Sequence, residues 1–136
     1  MSGFLLDTNV VSELRKGAKA NSNVLTWARA VDQRQLFISV LVFGEIRKGL
    51  ETLRRKDPVQ AQALEKWLEG LRSMFSERNL PITDQIADIW GRNSADMPSP
   101  VIDSLLAATA IEHNLTLVTR NIQHVQKSGA KVFNPF

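Results

Sequence analysis

The chain has 136 residues, of which 43% are hydrophobic and 23% charged, which fits one domain over residues 1–136 with a single solid core. It has no cysteine, so disulfides and thiolate zinc sites are excluded, and its two histidines, His113 and His124, have no zinc-ligand spacing. Seventeen basic residues against 14 acidic ones give a net charge of +3, compatible with a polyanionic partner but equally with a plain basic surface.

Taken in order, the chain alternates strand-like and helix-like segments. Met1-Ser2-Gly3 shows no targeting signal and leads into a short buried strand over Phe4 to Leu6. Thr8 or Asn9 is expected to cap a helix from Val10 to Lys16. Asn21 to Asp32 reads as helical, and Leu36 to Val40 as a β-branched and aromatic strand. A helix is expected over Val42 to Leu53. Asp57-Pro58 then supplies a cap and a first-turn proline for a helix to about Phe75, with Leu64, Trp67, Leu68 and Leu71 at helical spacing.

Leu80 to Thr83 is expected as a short strand, with Asp84 capping a helix through Trp90. Ser99-Pro100 opens a helix to about His113. Thr116 to Thr119 and Lys131 to Phe133 are the last strands, separated by a helical turn or two over Asn121 to Lys127. Strands separated by helices predict an α/β/α sandwich around a central parallel sheet of about four to five strands. No apolar run approaches the ~20 residues of a membrane span, and a cytoplasmic location is expected.

Three acids interrupt this apolar pattern. Asp7 closes Phe4-Leu5-Leu6, Glu45 lies in Val42-Phe43-Gly44-Glu45-Ile46, and Asp103 sits two residues into the run from Val101 to Ile111. An acid in apolar surroundings is unfavourable unless it is paired, protonated or bound to a metal. Asp7 falls at the carboxyl end of a strand, where open parallel sheets bind ligands, though it also reads as a plain helix cap. Glu45 falls about 60° outside the apolar face of its helix, a border position open to solvent. Asp103 belongs to the first turn of a helix that is apolar on every side, so a buried helix is expected. Three carboxylates about 5 Å apart repel by roughly 10 kcal/mol at an effective dielectric near 20. Total fold stability is only about 5–15 kcal/mol, so such a cluster calls for protons or a cation, and magnesium prefers hard oxygen ligands.

The order and spacing of these stretches resemble the PIN-domain family, and within it the VapC and FitB type of toxin–antitoxin ribonuclease. The resemblance is carried by Leu5-Leu6-Asp7-Thr8-Asn9, by Val42-Phe43-Gly44-Glu45-Ile46-Arg47, by Ile102-Asp103-Ser104-Leu105-Leu106-Ala107, and by Leu117-Val118-Thr119-Arg120-Asn121. It covers essentially the whole chain. It implies an endoribonuclease that depends on Mg2+, with Mn2+ as a substitute. It also implies a homodimer neutralised by a VapB- or FitA-like antitoxin, with promoter DNA reached only through that antitoxin.

Carried over by position, Asp7, Glu45 and Asp103 form the acidic, metal-holding site. Many relatives place a fourth acid just after Thr-Arg or three residues further on; here those places hold Asn121 and His124. Asn121 brings a carbonyl oxygen to the catalytic set but no charge. On this resemblance, Asp7 and Asp103 are expected to be the main holders of the cation, with Glu45 completing the shell or orienting the attacking water. A second cation arriving with the substrate is also compatible.

Thr8, Asn9, Thr119 and Arg120 are the nearest candidates to contact substrate. Arg15, Lys16, Lys19, Arg47 and Lys48 are candidates for the RNA backbone. Trp27, Trp67 and Trp90 read as core or interface anchors rather than base-stacking platforms. Leu50, Leu53, Leu64 and Leu68 are candidates for an antitoxin groove or a dimer face. Two other readings compete. A haloacid-dehalogenase-type phosphatase needs a second Asp where this chain has Asn9. A catalytically weak PIN-like module, acting through antitoxin or RNA binding, draws on the missing fourth acid.

Overall fold

The computed structural model describes residues 3–95 and 98–136, so Met1 and Ser2 lie outside the described residues. Within these residues five short parallel strands form the sheet: β1 (Phe4–Leu6), β2 (Leu36–Ser39), β3 (Asn79–Leu80), β4 (Thr116–Val118) and β5 (Lys131–Phe133). Their order is β3-β2-β1-β4-β5. The chain leaves β1 to one side and returns to its other side only at β4. The carboxyl edge between β1 and β4 is therefore the point where strand order reverses, the usual ligand crevice of such sheets.

Among the described residues, seven α-helices connect the strands: α1 (Thr8–Arg15), α2 (Ser22–Ala30), α3 (Val40–Lys56), α4 (Pro58–Met74), α5 (Asp84–Ser94), α6 (Val101–His113) and α7 (Ile122–Val125). Leu5, Ile38 and Val118 from the strands pack with Val10, Val42, Leu50, Leu68 and Leu106 from the helices, all fully buried. Burying each such side chain contributes roughly 1.5–3 kcal/mol. Asn114, in the left-handed conformation at φ 53°, ends α6 and turns the chain into β4.

Several boundaries differ from the sequence reading. Asp7, not Thr8 or Asn9, is the cap of α1, which starts at once because β1 ends there. Helix α3 is longer at both ends. Ser39 caps it by accepting from Leu41 N–H at 3.1 Å, and its last turn, Arg54-Arg55-Lys56, complements the helix dipole. The expected strand at Leu80 to Thr83 is instead Asn79–Leu80, because Pro81 has no N–H to give to a ladder. Thr83 rather than Asp84 caps α5, accepting from Ile86 N–H at 3.2 Å. Helix α6 is buried only from Leu106 to Ala110; Val101 is 57% exposed, so the turn bearing Asp103 reaches the surface.

Candidate active site

Asp7 leads directly from β1 into α1, and its backbone N–H donates to Val118 carbonyl of β4 at 3.0 Å. That bond fixes the carboxylate in the crevice between β1 and β4. The side chain is only 4% exposed. Thr8 N–H donates to Oδ1 at 2.7 Å, and Thr119 Oγ1 donates to Oδ2 at 2.7 Å. Burial pushes the Asp7 carboxyl above its ordinary range. The hydrogen bonds from Thr119 and Thr8 oppose that shift, and the charges of Asp103 and Glu45 add to it.

Thr8 ties two of them together. Its amide holds Asp7, and its hydroxyl donates to Glu45 Oε1 at 2.5 Å. This contact draws Glu45, a half-buried residue on the flank of α3, across toward α1. Asp103, in the first turn of α6, pairs its Oδ2 with His124 Nδ1 at 2.7 Å. Sequence reasoning treated His124 only as the place of an absent acid. Its register three residues after Asn121 was the one signal that it could reach the site.

Asn9 Nδ2 makes 3.4 Å contacts with Asp7 Oδ2 and Thr119 Oγ1, and its Oδ1 accepts from Arg120 N–H at 3.2 Å. Asn9 thus pins the loop after β4. Thr119 is 1% exposed, and its hydroxyl also accepts from Asn121 N–H at 3.0 Å. Thr8, Asn9 and Thr119 accordingly hold the acids and the loop in place. Arg120 is exposed, with its guanidinium 3.9 Å over the Phe136 ring. Asn121 stands at the start of α7, and its side chain caps nothing there.

Some expected basic contacts are already engaged. Arg47 donates to both oxygens of Glu65, at 2.9 and 2.7 Å, and to Glu51 at 3.1 Å. It knits α3 to α4 and is not available to RNA in this arrangement. Arg54 joins the same network, while Arg55 and Lys56 are exposed. Lys16 pairs with Glu13.

The tryptophans serve packing. Trp27 meets Phe4 edge-on at 5.3 Å, and Trp90 Nε1 donates to Ser104 Oγ at 2.9 Å. Leu50 and Leu68 are fully buried and cannot line a groove. An apolar groove of about 340 Å³ is lined instead by Val11, Leu14, Trp67, Leu71 and Met74, together with Arg15 and Arg29.

Among the described residues, no group of three His, Asp or Glu side chains is gathered closely enough to enclose a metal ion. Equally, among the described residues none of the three site carboxylates makes an ion pair with Lys or Arg; Asp103 meets only His124. Three acids on neighbouring elements, none of them ion-paired to Lys or Arg among the described residues, have the hard-oxygen chemistry that suits Mg2+ or Mn2+. Mg2+ keeps several of its waters and binds through one or two carboxylates, so it does not need a closed protein cage.

The PIN domain family matches residues 4–129. The chain is a PIN domain. It is 31% identical over 140 residues to Toxin FitB of Neisseria gonorrhoeae, covering 98% of each chain. To VapC ribonuclease Y4jK of Sinorhizobium fredii it is 30% identical over 139 residues, covering 98% of this chain and 97% of that one. The crystal structure of FitAcB from Neisseria gonorrhoeae matches this PIN domain with a TM-score of 0.87 at 28% identity, over 97% of both chains. Among the described residues of this PIN domain, no helix is long and apolar enough to cross a membrane.

Proposed function

We infer that this PIN domain is the toxin of a type II toxin–antitoxin pair and acts as a divalent-metal-dependent endoribonuclease. The observation that carries the reading is the buried Asp7 carboxylate at the strand-order switch, joined to Glu45 through Thr8, with none of Asp7, Glu45 and Asp103 ion-paired to Lys or Arg among the described residues. Relatives named as a toxin and as a VapC ribonuclease, matched over nearly the whole chain, support it.

Asp7 and Asp103 would hold Mg2+ or Mn2+, with Glu45 completing the site. The bound ion supplies Lewis acidity toward the scissile phosphate and its water. The chain's own residues prepare that chemistry. Thr8 and Thr119 fix the Asp7 carboxylate, and Thr8 also holds Glu45, which would orient the attacking water. Asn121 offers a carbonyl oxygen to the same water. Thr8 and Asn9 bear on substrate only through what they hold, whereas Arg120 and Lys19, both exposed, are the candidates to meet RNA phosphates. In-line attack by water breaks the P–O3′ bond and leaves 5′-phosphate and 3′-hydroxyl ends.

The apolar groove between α1, α2 and α4, with arginines among its lining residues, fits an amphipathic antitoxin segment with acidic flanks. Promoter DNA is then reached through the antitoxin, and the working assembly is a cytoplasmic homodimer joined to it.

The test is cleavage of total RNA by antitoxin-free protein with Mg2+, with Mn2+ and with chelator. Metal-dependent cuts are expected, reduced at least ~100-fold in Asp103→Asn, in the range lost when a transition-state electrostatic group is removed. Folded protein that cuts nothing with either metal would favour the binding-module alternative, whose support is the uncharged Asn121. Cleaved RNA ending in 2′,3′-cyclic phosphate would overturn hydrolysis by water, because that product needs the 2′-hydroxyl as nucleophile.

A further inference from the structure

We propose that His124 is a positioning residue for Asp103, holding one carboxylate oxygen so that the other is presented to the divalent cation; this rests on the metal-dependent reading above. Each acid of the site has a donor that fixes it. Asp7 has Thr8 N–H and Thr119 Oγ1, and Glu45 has Thr8 Oγ1. Among the described residues, Asp103 has His124 alone, at 2.7 Å across 21 residues of sequence. The Asp103 side chain is 15% exposed, and among the described residues no other hydrogen bond sets the direction of its carboxylate.

The contact is also specific in its placement. Helix α7 is four residues long and has no side-chain cap, so its own backbone does little to fix where His124 points. Two anchors do so instead. Val125 is buried in the core at 2% exposure, and Asn121 N–H is bound to Thr119, the same hydroxyl that holds Asp7. Thr119 and His124 therefore position the two main cation-holding acids from a single short segment after β4. His124 Nδ1 donates in either protonation state, with Nδ1–H as the tautomer that the Asp103 oxygen selects. Donors that orient ligating carboxylates typically change metal affinity by about 10- to 100-fold when removed.

The experiment measures Mn2+ affinity of the full antitoxin-free chain, by electron paramagnetic resonance of free Mn2+, for wild type, His124→Ala and His124→Asn. His124→Ala is expected to weaken binding by about 10- to 100-fold. His124→Asn, whose amide nitrogen takes the place of Nδ1, is expected to restore most of the loss. Cation-free melting temperatures should stay alike across the three proteins. The Mn2+ concentration for half-maximal cleavage should rise in His124→Ala while KM for RNA is unchanged. Wild-type binding matched within twofold by His124→Ala, or an Asn variant no better than Ala, overturns the positioning role alone. Wild type that binds no Mn2+ overturns it together with the metal-dependent reading.

Discussion

Asp7 carries the sharpest tension between stability and function. Its carboxyl is held above the ordinary range near 3.9 mainly because it is buried, so its charged form destabilises the cation-free fold. A raised folded-state pKa gives stability that is complete below the unfolded value and lost as pH rises through the folded value. Asp7→Asn stays neutral and escapes that loss. In chelator, its melting temperature should exceed wild type at pH 7, and the difference should shrink as pH falls toward 3. Its cleavage should be abolished. Equal melting at pH 7 would mean that Thr8 and Thr119 already offset the burial. Asp7 and Asp103 were legible as residues out of place in apolar runs. His124 was legible only by its register, as the place of an absent acid; its pairing with Asp103, 21 residues earlier, was not, because it depends on how α6 and α7 meet.

At the scale of elements, the α3–α4 hairpin rests on buried Leu50 and Leu68 and on a charge network above them. Arg47 and Arg54 hold the Glu65 carboxyl down to about 2. A depressed acid gives stability that is present above its unfolded value and lost as pH falls through the folded one. Glu65→Gln should therefore melt below wild type at pH 7, and the gap should close between about pH 4.5 and pH 2. A gap independent of pH would assign the effect to packing. The network is also salt-sensitive, since its arginines are 40% exposed. Helical periodicity and the Asp57-Pro58 signal were enough to find both helices. The pairing of Arg47 with Glu65 was not visible, because it depends on the angle at which two helices cross. The same limit misassigned Leu50 and Leu68 to an outer face.

For the whole molecule, cation, antitoxin and fold are linked through binding to the native state. Mn2+ at 100 times its dissociation constant should stabilise wild type by about 2.7 kcal/mol, and Asp7→Asn by much less, as read by thermal unfolding with and without chelator. Met74 is 56% exposed on the apolar groove. Met74→Glu should leave RNA cleavage intact and make it resistant to the antitoxin; full inhibition of the variant would move the antitoxin site elsewhere. The sequence by itself determined the alternation of strand and helix, the parallel sheet and the three acids, because burial period and misplaced charge are local properties of the chain. The tertiary structure alone decided strand order, the sharing of Thr8 between Asp7 and Glu45, the recruitment of His124 and the wall of the groove. These depend on which surfaces meet across long separations in sequence, and side chains acquire such partners only when the sheet closes at β1 and β4.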